Sequence, residues 1–384
     1  MMAALGGRVG VPSFVNWART VRTQPTAWHH PGSVEQLQAL IAQAAAAGRR
    51  VRAVGSAHSW SAVAASAHEL VSLDRLSAVL SVDAAAGVVE VEGGVTLAAL
   101  NEALAAEGLA LPILGSVAAQ TVAGAIGTGT HGSSLRHGNL GSGLVAAELV
   151  DGRGERHTLG PGDPRLDGAR VHLGALGVLT RASLRVVPAF RLRETRRLLP
   201  FDAAVELLPE LARAHSYVKL WWLPHTDRVW VVSLEPTEEA GSRSAVGHAV
   251  DSLANELLFP PLLWAGGRWP GLVPAVNRLV EAVHFTEGGR VGRSDHLFTL
   301  PMPPRHRETE LAMPVLYAQD ALRWCRRWIE DQRARIGFLV EVRFVKADSG
   351  WMSPAHGQDV CQLGAYAGWE PDATAYFEAF QAAG

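Results

Sequence analysis

Residues 51–60 read VRAVGSAHSW. Val51 to Val54 suit a short strand, and Gly55-Ser56-Ala57-His58-Ser59 follows as a run of small residues around one histidine. Small residues after a strand leave backbone N–H groups free to converge on an anion such as a pyrophosphate, with the histidine held beside it. Taken alone, the same five residues also describe a surface loop with an incidental histidine, because short motifs are weak.

Upstream, Ser33 to Gly48 has the pattern of a helix. Ser33 is a capping residue with Gln36 three positions on, and Leu37, Leu40, Ile41 and Ala44 make one apolar face. Downstream, a strand–turn–strand unit starts at Leu70. Val88 to Glu92 alternates, and Thr96 caps a helix bearing Leu97, Leu100 and Leu104 that ends at Gly108.

The run Leu114–Gly143, LGSVAAQTVAGAIGTGTHGSSLRHGNLGSG, fits neither helix nor strand by pattern. A polar, glycine-rich stretch of this length in a folded domain is expected to bind something. Residues 127–132 formally match GxGxxG, but a dinucleotide fingerprint needs a strand just before it and a helix opening inside it. Thr130, His131 and the Gly/Ser residues beyond them break any helix. The glycines still allow close backbone approach, and the Thr128 and Thr130 hydroxyls suit phosphate or ring edges.

Strand-like pieces follow at Leu144–Val150, His157–Leu159 and Leu179–Val187. Near Pro188 the texture shifts to more Trp and Arg, with strands near Val218–Leu223 and Val229–Leu234. Two domains are expected, residues 1–187 and 188–384. Within FLVEVRFVKAD, residues 338–348, strand alternation puts Glu341 and Arg343 on one face and Val342 and Phe344 on the other. A carboxylate beside a guanidinium can orient a polyol and stabilise a developing alkoxide. In isolation the pair reads first as an ordinary ion pair at solvent, and the turn Trp351–Ala355 reads as packing.

The totals narrow the class. The chain has 384 residues, 48% apolar and 19% charged, which supports a substantial core. A net charge of −2 argues against a nucleic-acid binder. Lysine occurs only at Lys219 and Lys346, a bias with no function assigned from sequence. Two cysteines, Cys325 and Cys361, make neither a disulfide framework nor a structural zinc site, and His29, His30, His137 and His356 lack metal-ligand spacing, so no metal is expected. No P-loop is present. The N-terminal residues do not read as a signal peptide, and the apolar stretch Leu257–Ala265, broken by Pro260 and Pro261, is too short to span a membrane. A cytoplasmic protein is the expectation.

Taken together, VRAVGSAHSW, VVEVEGGVTLAALNEAL, GLALPILGSVAAQTVAGAIGTGTHGSS, LGALGVLT, ETELAMP, FLVEVRF and WMSPAHGQD, in that order over most of the chain, resemble the covalent-flavin oxidases of the vanillyl-alcohol oxidase superfamily. The sugar-1,4-lactone oxidases (gulonolactone and arabinonolactone oxidases) are the nearest branch, with alditol oxidases as near relatives. The resemblance implies an α+β fold: a two-subdomain PCMH-type FAD-binding module followed by a cap domain with a large antiparallel sheet. It implies FAD linked covalently through His58, with Gly55, Ser56, Ala57 and Ser59 as the pyrophosphate loop. Gly115, Ser116, Thr121, Gly124, Gly127, Thr128, Thr130 and His131 would form a second flavin-contacting segment. Gly177 and Val178 would lie at an adenine or flavin edge.

It further implies Glu341, Arg343 and Ser116 as the substrate-contacting residues. Hydride would pass from a carbinol carbon to flavin N5, with molecular oxygen as acceptor and hydrogen peroxide as product. The small Gly115 favours oxygen access. The expected substrate is a sugar lactone, the alternative a xylitol-like polyol. In the family a His-Trp-Gly-Lys motif follows the segment that AYFEAFQAAG resembles, and its lysine contacts substrate and flavin. The 384 residues end before it, which leads to the expectation of reduced stability and, as an alternative of another class, an FAD-binding protein without turnover.

Overall fold

The computed structural model describes residues 11–241, 259–301 and 304–383. The start of the N-terminal segment and Leu257–Leu258 of the apolar stretch lie outside the described residues.

The first subdomain follows the sequence closely. Ser33 Oγ accepts the Gln36 N–H at 3.2 Å and opens the helix Val34–Ala46, whose Leu37, Ile41 and Ala44 are buried. The Gln36 side chain closes the cap on Gly32 N at 2.8 Å. This helix connects Ala27–His29 to Val51–Val54, and both strands run parallel to the central strand Glu69–Ser72. The second subdomain is a five-stranded antiparallel sheet, ordered Arg156–Leu159, Leu144–Val150, Val178–Arg185, Val88–Glu92, Val79–Asp83. Helix Leu97–Ala106, capped by Thr96, buries Leu97, Leu100 and Leu104 in the same core as Val89 and Val91.

One expectation is corrected here. The glycine-rich run does contain a helix, Val122–Gly127, capped by Thr121 through Gly124 N at 3.3 Å. Its small residues let it stand directly on the sheet. Ala123 N donates to Gly93 O at 2.9 Å, and Gly93 N donates to Thr180 O at 2.7 Å. The GxGxxG match begins on the last residue of this helix and Gly129 turns out of it at φ +68°, the reverse of a dinucleotide fingerprint.

Beyond Val187–Pro188, which pair with Leu109–Ala110, the chain enters a seven-stranded antiparallel sheet. Its order is Gly288–Arg293, Arg191–Pro200, Arg228–Thr237, Tyr217–Trp222, Val340–Val345, Val360–Ala367, Arg307–Pro314. Helices Phe201–Ala214, Ala318–Asp331 and Ala373–Ala383 cover one face, burying Val218, Leu220, Val342, Phe344 and Leu363. Period-two alternation therefore turns Lys219, Trp221, Glu341 and Arg343 to the opposite face.

Two serines stitch that face to the glycine-rich segment. Ser133 Oγ donates to Val218 O and accepts Phe344 N–H at 3.0 Å; Ser134 N donates to Phe344 O at 2.7 Å.

Candidate active site

The loop after Val54 leaves a run of backbone N–H groups without acceptors among the described residues. Ala57 stands at φ +57°, a left-handed value that costs energy in a residue other than glycine, and its carbonyl is held by Trp17 N at 2.8 Å. The backbone N–H groups of Ser56, Ala57, His58 and Ser59 donate to no acceptor among the described residues. Ser56 Oγ ties the loop to Ala119 O at 2.5 Å, and a Cβ added at Gly55 would lie 2.4 Å from Thr121 Oγ1. The loop and the glycine-rich segment thus face each other closely enough to require Gly55.

His58 is half-buried, 6.0 Å from the Trp17 ring, and neither ring nitrogen has a partner among the described residues. Burial lowers its pKa, which favours the neutral imidazole.

On the facing wall, Gly115 packs against Thr130 and His131; a Cβ there would come within 2.9 Å of Thr130 Cγ2. Ser116 O accepts Leu300 N at 3.0 Å, and the Ser116 hydroxyl has no partner among the described residues. The Thr128 hydroxyl donates to Gly124 O at 2.8 Å, and Thr130 Oγ1 accepts from Gln120 at 3.0 Å. Beneath Gly127 sits buried His172. Its Nδ1 accepts Gly174 N–H at 3.1 Å, so its proton sits on Nε2, which has no acceptor; burial pushes its pKa down to about 4. Gly177, at φ +125°, presses on Val150, where a Cβ would meet the carbonyl at 2.2 Å. Val178 pairs with Val150 in the sheet. The need for glycine at 177 is met by this packing.

The cap sheet closes the site with a charge network in which Glu341 and His131 are buried and Arg343 and Glu310 are partly buried. Glu341 Oε1 accepts from Trp221 Nε1 at 2.6 Å, Oε2 accepts from Tyr366 OH at 2.8 Å, and Arg343 Nε lies 3.4 Å from Oε2. Burial alone would raise the Glu341 pKa, but Arg343, Lys219 and the two donors outweigh it, and the carboxyl lies below its ordinary value. Arg343 also donates to Glu310 Oε1 at 2.9 Å, and Glu310 Oε2 lies 3.3 Å from His131 Nε2. The Glu341–Arg343–Glu310–His131 chain runs from the cap sheet into the glycine-rich wall. It unites the Glu341/Arg343 pair with His131, which the sequence places in a separate segment. Against its burial, Arg343 and His131 draw the Glu310 pKa down to about 2.

Glu308, Glu310, Lys219, Trp221, His172 and His306 are residues that the sequence does not single out for this role, whereas Tyr366, expected from its place in the cap region to shape the pocket, donates to Glu341. Glu308 and Glu310 fall at alternate positions of Arg307–Pro314, and across the sheet Glu310 pairs with Gly364, which pairs with Glu341. The alternation in ETELAMP was the available signal. His306 is buried between the Trp17, Trp60, Phe338 and Tyr366 rings, with Nε2 3.9 Å from Glu308 Oε2; burial keeps the Glu308 pKa above its ordinary value. His29, His30, His137 and His356 make ordinary structural contacts, to Glu69, Asp74, Tyr217 and Gly350 O.

The unpaired N–H groups at 56–59, the crowding at Gly55 and the orphaned His172 Nε2 fit an FAD, whose pyrophosphate and ring edges offer acceptors where these donors lack them. The comparisons agree. Residues 25–160 match the FAD binding domain family, and residues 182–383 match the D-arabinono-1,4-lactone oxidase family. The chain is 32% identical over 354 residues to the L-gulonolactone oxidase of Scyliorhinus torazame, covering 91% of this chain and 80% of that one. It is 32% identical over 377 residues to the L-gulono-1,4-lactone dehydrogenase of Mycobacterium tuberculosis, covering 96% and 86%. A D-arabinono-1,4-lactone oxidase of Yarrowia lipolytica is 35% identical over 277 residues, 70% of this chain and 52% of that one.

Among solved structures, a solvent-stable cholesterol oxidase superposes with a TM-score of 0.80 at 18% identity, covering 96% of this chain and 82% of that one, and shares the fold. The α+β architecture, with its two-subdomain FAD module and large antiparallel cap sheet, is thereby established. Fold and site define an FAD-dependent oxidoreductase acting on CH–OH groups. Within that class the chain belongs to the D-arabinono-1,4-lactone oxidase family, the FAD-dependent oxidoreductases of sugar lactones.

Proposed function

We propose that this chain oxidises an aldono-1,4-lactone of the gulono or arabinono type, with FAD bound covalently through His58 and molecular oxygen reduced to hydrogen peroxide. The observation that carries this reading is the Glu341–Arg343–Glu310–His131 chain, which ties the cap sheet to the glycine-rich segment against which the loop of unpaired N–H groups packs. FAD, when bound, supplies the acceptor for the hydride of the carbinol carbon. Gly55, Ser56, Ala57 and Ser59 hold its pyrophosphate. Gly115, Ser116, Thr121, Gly124, Gly127, Thr128, Thr130 and His131 would contact its flavin, and Gly177 and Val178 would lie at its adenine or flavin edge.

The chain's own residues do the rest. Arg343, fixed by two carboxylates, stabilises negative charge as it develops on the substrate oxygen. Glu341 stays ionised, orients Arg343 and accepts from a substrate hydroxyl. Ser116, whose hydroxyl is uncommitted, is a third contact to the lactone. The neutral imidazole and free ring nitrogens of His58 support the covalent link. Gly115 keeps the wall thin for oxygen. The division into units 1–187 and 188–384 follows the change of sheet between Arg185 and Arg191. A cytoplasmic location suits the two buried, unpaired cysteines; among the described residues no helix is long and apolar enough to cross a membrane.

Acid precipitation of the purified protein tests the cofactor link: the yellow colour stays in the pellet, and is released or missing in His58→Ala. Colour released from the wild type removes the covalent bond. Anaerobic mixing with L-gulono-1,4-lactone tests the substrate class. Bleaching of the flavin supports it, while bleaching by xylitol in its place moves the assignment to a polyol.

A further inference from the structure

Among the described residues, Lys219 is a buried cation of the cap sheet that the scheme above leaves without a task. It is 8% exposed, on the sheet face that carries Glu341 and Arg343, and its Nζ lies 4.8 Å from the Trp221 ring centroid. An ammonium has three protons to donate and accepts nothing. Here it donates to no oxygen among the described residues, and no described carboxylate is within ion-pair distance. Glu341, its strongest electrostatic partner, already accepts from Trp221 on one oxygen and from Tyr366 on the other. A charge taken out of water without an acceptor is costly, and an oxygen brought by a ligand would offset that cost. Its surroundings agree with a ligand that carries oxygens and no net charge. Glu341 and Glu194 act on it as negative neighbours and Arg343 and Arg290 as positive ones, so the charges around it offset one another.

The composition points the same way. In a chain whose cations are otherwise arginine, lysine stands only at 219 and at exposed 346. The buried site calls for a compact point charge on a thin stem, which a planar guanidinium does not supply.

We propose that Lys219 is a substrate-contacting residue, whose ammonium donates to an oxygen of the lactone bound against Glu341 and thereby sets its affinity. This rests on the lactone reading of the site.

Because the chain has two lysines, the test can be made on the wild-type holoenzyme. Lysine labelled with 13C at Cε gives two side-chain signals, assigned with Lys346→Arg. L-Gulono-1,4-lactone is titrated into dithionite-reduced enzyme under anaerobic conditions, where no turnover occurs. The Lys219 signal is expected to shift in a saturable way while that of Lys346 stays. A Lys219 signal unmoved at saturating lactone overturns the proposal. In parallel, Lys219→Met, with flavin spectrum and melting temperature as folding controls, should raise KM roughly tenfold or more with kcat within about threefold. An unchanged KM makes the lysine a structural cation. The two readings fail separately: a wild type that no lactone reduces sinks the lactone assignment and this proposal with it, whereas one that is reduced with Lys219 silent sinks the proposal alone.

Discussion

Glu341 and Arg343 were legible as a same-face pair, because strand alternation is a property of the backbone. Their burial was not, since nothing local says that the face meets a second domain. Buried and mutually held, the pair has an expected cost. Glu341→Gln should lower the rate of anaerobic flavin reduction on the order of a hundredfold with flavin content unchanged, as measured by stopped-flow absorbance. Glu310 makes a second prediction. Its folded pKa, about 2, lies below its ordinary value, so the stability it contributes is complete above pH ~4.5 and is lost as pH falls towards 2. Melting temperatures between pH 5 and 2.5 should therefore fall less steeply in Glu310→Gln than in the wild type. At Gly55, a methyl group would meet Thr121 Oγ1 at 2.4 Å. Gly55→Ala should push the loop off the glycine-rich wall, and the variant is expected to purify with less flavin per chain.

The elements that were legible have local signals. Ser33 and Thr96 open helices that bury leucines at helical spacing, and both form as read. The helix Val122–Gly127 was missed because its sequence, VAGAIG, has weak intrinsic preference for a helix. It forms because Thr121 caps it and because it rests on Gly93 and the strand Val178–Arg185, a tertiary reason. Thr121→Ala removes that cap and should cost about 1 kcal/mol in urea unfolding. On the covered face of the cap sheet, Phe344 is 1% exposed among the helices. Phe344→Ala leaves a cavity there and should cost about 3–5 kcal/mol by the same measurement, with the charged face left in place.

At the scale of the molecule, the site exists only where the FAD module meets the cap sheet. Ser133 joins them with one hydroxyl, donating to Val218 O and accepting from Phe344 N. Ser133→Ala leaves both groups short of a partner and should lower stability by about 1–3 kcal/mol. The calorimetric trace tells whether the loss falls on the whole molecule or on one part. By itself, the sequence determined the run of small residues after the strand at 51–54, the glycine-rich segment, the face of Glu341 and Arg343 and, through the order of its motifs, the family. These are set by residue size, period and capping, which act within a few residues. Only the tertiary structure decided that Glu310 bridges Arg343 to His131, that Tyr366 and Trp221 each donate to Glu341, and that Lys219 stands buried without an acceptor among the described residues. Those facts depend on strand register across the cap sheet and on the packing of residues far apart in the chain, for which no short stretch of sequence carries a signal.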